Sequence, residues 1–203
     1  MGARKLFVAM RVGPDSKQIL LAITDSGNEA IDLKIHPHPS CGDVDRLLED
    51  CDIRRTRASG PGGQHRNKVE TAIEITHRPT GVSALAYERR SQEQNRKVAV
   101  FRLRLQLAVA HRAVMSAIVE PSALWQTRCR NSRIKCNEEH ADFPALIAEA
   151  LDAVYAKDYD IRTAAAALSC SNSQLVRFLG KLPDALNHVN NEREKMGLRK
   201  LKT

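Results

Sequence analysis

The 203-residue chain predicts an α+β fold: a small domain of β-hairpin sheet on a long helix, followed by an all-α region and preceded by a short β-prone extension. Three observations carry this prediction. Thr71 to His77 alternates apolar and polar residues as a half-buried strand does, and Arg78-Pro79-Thr80-Gly81 supplies the turn into a second β-prone run, Val82 to Tyr87. From Ser91 to about Ala117, Ala99, Leu103, Leu107, Ala110 and Val114 recur at three- and four-residue spacing, the core stripe of a long helix that Ser91 can cap. Beyond the break at Pro121 the pattern is helical. Apolar residues make up 42% of the chain but aromatics only 4%, so the interior must be built from Ala, Val, Leu and Ile, which favours helix packing over a large sandwich.

Taken in order, residues 1–40 form the extension. Leu6 to Val12 and Ile19 to Thr24 flank Gly13-Pro14-Asp15-Ser16 and read as a hairpin, with Ala30 to Ile35 as a possible third strand; an ordered arm without activity of its own is an equal reading. His36-Pro37-His38-Pro39 reads as a stiff linker, because a residue before proline is pushed to extended geometry, and its two histidines read as linker rather than ligands. Residues 41–118 form the second domain. It opens with a short helix, Asp43 to Asp50, capped by Asp43, and an alternating stretch, Cys51 to Arg57. Residues 119–203 form the helical region, with helices at Pro144–Ala156, Ile161–Leu168, Ser173–Leu179 and Pro183–Met196; Asp160 and Ser171 are candidate caps for the middle pair. Segment 161–179 resembles a helix-turn-helix, and 188–203 reads as a basic tail.

The formal net charge of +8 and isoelectric point near 9.5 point to a polyanionic partner. Its placement is more telling. Cys51 to Ala117 holds 13 Lys and Arg against 5 Asp and Glu, while the rest of the chain is balanced at 19 each. Five cysteines, an odd count at low density, suggest a reducing cytoplasm rather than a disulfide scaffold. Cys129, Cys136 and His140 are metal-ligand types, but their spacing matches no standard finger and a fourth ligand is lacking, so neither metal nor cofactor is expected. No apolar run approaches the roughly 18 residues of a membrane span, and Arg11 interrupts the only signal-like stretch.

Ser59-Gly60-Pro61-Gly62-Gly63-Gln64 resists any explanation as core, since it buries almost nothing. Glycine admits positive φ and lets a ligand or another backbone approach without a Cβ in the way. The loop therefore presents amides, and Arg54, Arg55, Arg57, Arg66 and Lys68 around it suit a phosphodiester-rich target.

The run Arg57-Ala58-Ser59-Gly60-Pro61-Gly62-Gly63-Gln64-His65-Arg66-Asn67-Lys68 resembles the GGQ signature of the class I peptide-chain release factors. So do His77-Arg78-Pro79-Thr80-Gly81-Val82 and Arg89-Arg90-Ser91-Gln92-Glu93-Gln94-Asn95, in the family's order. The resemblance covers about Cys51 to Leu107. It implies a ribosome-dependent hydrolase that cleaves the ester between peptide and tRNA in the peptidyl-transferase centre, with the ribosome and peptidyl-tRNA as partners. Water attack on that ester makes an oxyanion, and the backbone amide of Gln64 is the expected donor to it, with Gly62 and Gly63 permitting the turn that aims it. His65 beside the glutamine reads as packing or RNA contact rather than a base. Ser59, Gly60, Asn67 and Asn95 read as loop and helix-start anchors, because amide and hydroxyl side chains readily bond nearby backbone. Arg54, Arg55, Arg57, Arg66, Lys68, Arg89 and Arg90 read as a phosphate-contacting set. Related glutamines are often methylated, which makes a methyltransferase acting on Gln64 a candidate partner. A monomer is expected.

The chain more resembles the stand-alone GGQ proteins that rescue stalled ribosomes without a codon than a decoding factor with a stop-codon reader. The tail between His188 and Thr203 fits less well, having five basic residues against Glu192 and Glu194. The alternative is a factor that holds RNA or DNA with its C-terminal helices and uses the GGQ domain to dock on the ribosome. The helix-turn-helix-like segment motivates it, although its second helix offers only Gln174 and Arg177 as polar readers.

Overall fold

A computed structural model describes residues 8–12, 19–23, 38–56, 71–113 and 119–203. The chain divides into two compact units, Met1–Pro37 and His38–Thr203. In the first, β1 (Val8–Val12) and β2 (Ile19–Ile23) pair antiparallel, with Val8 opposite Ile23 and Val12 opposite Ile19. This is the hairpin expected from the two aliphatic runs; the suggested third strand, Ala30 to Ile35, lies outside the described residues.

The second unit begins with α1 (Val44–Glu49), whose cap Asp43 accepts from the Asp45 amide. It leads into β3 (Cys51–Thr56), β4 (Ala72–His77) and β5 (Ser83–Ala86), a three-stranded antiparallel sheet with β4 in the centre. One face supplies Ile73, Ile75, Ala84 and Ala86 to a core closed by α2 (Gln92–Ala110), which contributes Ala99, Val100, Leu103 and Leu107. The hairpin and the helix stripe thus meet as the periodicities predict at Ala99, Leu103 and Leu107, whereas Ala110 is exposed at the helix end and Val114 lies outside the described residues.

Helix α2 stops at Ala110, short of the expected Ala117. His111 takes extended geometry, φ −114° and ψ 146°, and the Arg112 guanidinium turns back to donate to the terminal carbonyls of Ala108 and Val109. Arg112 also pairs with Asp152 at 3.3 Å, and Asp152 accepts from the Ala113 amide. Two bonds to the helix's own last carbonyls and two to Asp152 stand in for another turn of helix.

The rest of the unit is α3 (Ala123–Arg128), a minimal hairpin of β6 (Cys129–Arg130) and β7 (Arg133–Ile134), then α4 (Phe143–Ala156), α5 (Ile161–Ala167), α6 (Asn172–Gly180) and α7 (Pro183–Lys195). Asp160 and Ser171 cap α5 and α6 as expected, accepting from Arg162 and Gln174 amides. The core here includes Trp125, Phe143, Leu146, Leu151, Leu175 and Phe178, with Trp125 and Phe143 both edge-on to Phe178. Buried Trp125 satisfies its indole N–H on the Leu168 carbonyl at 2.8 Å. Helix α2 serves this core too, through Ala108 and the partly buried Phe101, Leu105 and Val109. It is apolar on two sides because it is packed on two sides.

Two further places differ from the sequence reading. His38, read as part of a stiff linker, is buried in the second unit: it is 4% exposed, its Nδ1 accepts from the Ser40 amide, and its Nε2 donates to the His111 carbonyl at 3.1 Å. Burial pulls its pKa from 6.5 to about 4. The basic stretch 188–203 is no extended arm either. Its first half belongs to α7, and after Gly197 (φ +73°) the chain folds back, Leu201 exchanging two hydrogen bonds with the Asn190 side chain. Arg193 is spent on the carbonyls of Arg199 and Tyr159, while Lys195 and Lys200 pair with Glu192 and Glu194. Among the described residues, no helix is long and apolar enough to cross a membrane.

Candidate functional site

The GGQ segment joins the two best-paired strands of the sheet. Strands β3 and β4 are in register from Cys51 opposite His77 to Thr56 opposite Ala72, so residues 57–70 leave and re-enter the sheet at adjacent, hydrogen-bonded positions. Arg57, Ser59, Gly60, Gly62, Gly63, Gln64, Arg66, Asn67 and Lys68 lie within that segment, outside the described residues. Arg54 and Arg55, on β3 just before it, are exposed, and stand opposite Glu74 and Ile73.

The re-entry point is held by one side chain. Asn95, in the first turn of α2, is fully buried; its Nδ2 donates to the Thr71 carbonyl at 2.6 Å and to the Arg89 carbonyl at 2.9 Å, and its Oδ1 accepts from the Arg89 amide at 2.9 Å. A single amide thus ties the residue before β4 to the segment carrying exposed Arg89 and Arg90. Ser91 next to them caps α2 by accepting from the Gln94 amide. Glu88 is bridged to Arg102 at 2.7 Å; burial works to raise its carboxyl, but the Arg102 hydrogen bond and local amides bring it below the ordinary value.

The second motif block lies elsewhere. His77 to Val82 forms the turn at the far end of β4, about 17 Å from Ala72 at the usual rise per strand residue. Gly81 sits at φ +71°, and the amides of Thr80 and Gly81 both donate to the His77 carbonyl. Burial lowers the His77 pKa, and its ring bonds Thr80 Oγ1 at 2.8 Å. Arg78 reaches the carbonyls of Cys51 and Glu49 and the Asp52 carboxylate, fastening α1 to β3. This block builds the sheet rather than the site.

The basic excess of the region also divides. Arg104 is 9% exposed and each of its three guanidinium nitrogens donates to a carbonyl, of Ser40 or Ala141, while Ser40 Oγ donates back to the Arg104 carbonyl at 2.7 Å. Arg112 is partly buried against Asp152. These two arginines hold the fold and leave surface charge to others, a distinction that a residue count does not make. The metal-ligand types also have ordinary partners: Cys129 and Cys136 sulfurs donate to carbonyls, and His140 bonds Arg128 and the Asp142 amide.

Residues 43–139 match the RF-1 domain family. The match spans 97 of the 203 residues, just under half of the chain, and marks that part as resembling the RF-1 domain. The matched span runs from the cap of α1 past the β6–β7 hairpin, and it contains the whole sheet, α2 and the GGQ segment. Among curated proteins, the chloroplastic peptide chain release factor PrfB1 of Arabidopsis thaliana is 43% identical over 100 residues, which is 49% of this chain and 21% of that protein. Peptide chain release factor 1 of Acidiphilium cryptum is 46% identical over 81 residues, 39% of this chain and 23% of its own length. Peptide chain release factor 2 of Lactiplantibacillus plantarum is 51% identical over 65 residues, 32% and 17% of the two chains. The chain therefore spans only about a fifth of the length of these relatives.

Proposed function

We propose that this protein hydrolyses the peptidyl-tRNA ester in the ribosomal peptidyl-transferase centre, and does so without reading a codon, on stalled ribosomes. The observation that carries the reading is the placement of Gly62-Gly63-Gln64 inside the RF-1 match, on a segment whose two ends are the paired strand residues Thr56 and Ala72. The sheet and α2 provide a stiff base from which to present a loop. At the ester, the Gln64 backbone N–H donates to the oxyanion that forms when water attacks, a contribution on the order of 3 to 4 kcal/mol by comparison with oxyanion donors in other enzymes. Gly62 and Gly63 allow the turn that aims this amide. No side chain is needed as a base, because the ribosome and the tRNA ribose complete the site. Arg54, Arg55, Arg57, Arg66, Lys68, Arg89 and Arg90 contact RNA phosphates.

The test is peptide release from ribosomes that carry peptidyl-tRNA on a truncated message, compared with a sense codon and a stop codon in the A site. Release without any codon is expected, and Gly63→Ala or Gln64→Pro should abolish it while ribosome binding survives. Release only at a stop codon overturns codon independence. Equal release by wild type and both variants overturns the hydrolytic role.

A second reading assigns nucleic-acid binding to α5 and α6, supported by the exposure of Asn172, Ser173 and Arg177 on the latter. It expects tight binding to naked RNA or DNA with steep salt dependence. Binding confined to assembled ribosomes counts against it.

A further inference from the structure

The β6–β7 hairpin carries a local charge that the balanced composition outside Cys51–Ala117 conceals. Residues 128–135 include Arg128, Arg130, Arg133 and Lys135 with no acidic residue. Arg130 and Arg133 are directly opposite each other across the ladder. Like charges in that relation destabilise a hairpin. The turn between them places Asn131 at φ +51° and Ser132 at φ +58°, the left-handed pair of a type I′ turn, where glycine would relieve Ser132. The fold thus accepts two local costs at one spot.

It also fastens the spot in place. The Lys135 amide donates to the Arg128 carbonyl at 2.8 Å, the Ser132 carbonyl accepts from the Ser171 amide at 3.3 Å, and Cys129 Sγ donates to the Ser169 carbonyl. Arg128 is neutralised by Asp142, at 2.6 Å. The side chains of Arg130, Arg133 and Lys135 are exposed and have no hydrogen-bond or ion-pair partner among the described residues. Together with Thr127 and Asn131 they line an open depression of about 500 Å³.

We propose that this hairpin is a second RNA-binding element of the protein, in which Arg130, Arg133 and Lys135 hold consecutive phosphates of a structured ribosomal RNA backbone. The identification of the RNA as ribosomal rests on the function proposed above. The lining favours a phosphodiester backbone over an acidic protein surface, since a protein interface is anchored by buried aromatic or apolar side chains, and the depression is bordered by none. It likewise favours backbone over bases, for no aromatic ring stands among these residues to stack on.

Equilibrium binding of the full chain to purified bacterial ribosomes, measured across a salt series, tests this. Arg130→Gln/Arg133→Gln/Lys135→Gln should weaken binding at least tenfold and flatten the log K against log salt slope by roughly 2 to 3, at about 0.9 for each phosphate that is no longer neutralised. Arg130→Lys/Arg133→Lys should restore most of both, which a merely structural role would not predict. Because repulsion is removed, the triple variant should melt no lower than wild type. Unchanged affinity and slope in the triple variant, with wild type still releasing peptide, overturns RNA binding by the hairpin and leaves the release reading standing. Salt-sensitive, hairpin-dependent binding by a wild type that releases no peptide has the opposite meaning, sinking the release reading and supporting RNA binding by the hairpin.

Discussion

The Asn95 side chain donates to the Thr71 carbonyl at 2.6 Å, which joins the first turn of α2 to the residue where the GGQ segment returns to the sheet. The same amide makes two bonds to Arg89. Replacing it therefore orphans three backbone groups at a fully buried position. At about 1 to 3 kcal/mol for an unsatisfied buried group, with partial relaxation, Asn95→Ala should cost about 2 to 4 kcal/mol in urea unfolding. Asn95→Asp should cost more, since it turns an oxygen toward two carbonyls. Release should fall in both even at temperatures where the fold is intact.

Substitutions at Gln64 separate its backbone from its side chain. Gln64→Ala keeps the N–H and should retain release within roughly tenfold, whereas Gln64→Pro removes the donor and should lose at least about a hundredfold. Single-turnover release at saturating protein reads the difference; equal losses would argue against the backbone amide.

Arginines of the RF-1 domain should fall into two classes. Arg89→Gln/Arg90→Gln alters exposed side chains and should weaken ribosome binding and its salt dependence with little effect on unfolding. Arg104→Ala empties a buried position that serves the Ser40 and Ala141 carbonyls, and should cost about 3 kcal/mol in stability. The salt slope should be unchanged in it.

Acid should expose the role of His38. Its pKa falls from 6.5 to about 4 on folding, so the unfolded chain binds the proton first, and stability is lost as pH drops through that window. The loss is at most about 1.4 kcal/mol per pH unit. Asp152 acts oppositely: burial raises its carboxyl from 3.8 to about 6 against the pull of Arg112, so it adds stability as pH falls between those values. The two partly cancel in the wild type. His38→Gln, which can still donate to His111 and accept from Ser40, should therefore gain on the wild type as pH falls from 6.5 to 4 in denaturation experiments.

Much of the fold is legible in the sequence, for a physical reason in each case. Strand alternation around Arg78-Pro79-Thr80-Gly81 locates β4 and β5, and the hydroxyl or carboxylate caps Ser91, Asp160 and Ser171 locate helix starts. Elements too short to show a period escape, namely α3 and the β6–β7 pair, whose strands are two residues each. Arg104 escapes because sequence spacing cannot tell a solvated cation from one that faces carbonyls supplied by residues 40 and 141. His38 escapes likewise, since its partner His111 is 73 positions away. In the site itself, motif order signals the Asn95 neighbourhood. That His77 to Val82 belongs to the opposite end of the sheet is not legible until the strands are paired.

Helix α2 carries one further implication. Its stripe of Ala99, Leu103 and Leu107 closes the sheet core, while Phe101, Leu105 and Ala108 close the helical one. A wall common to two rooms cannot shift for one alone. The separation between the sheet that bears the GGQ segment and helices α4–α7 is then set like the jaws of a locked caliper.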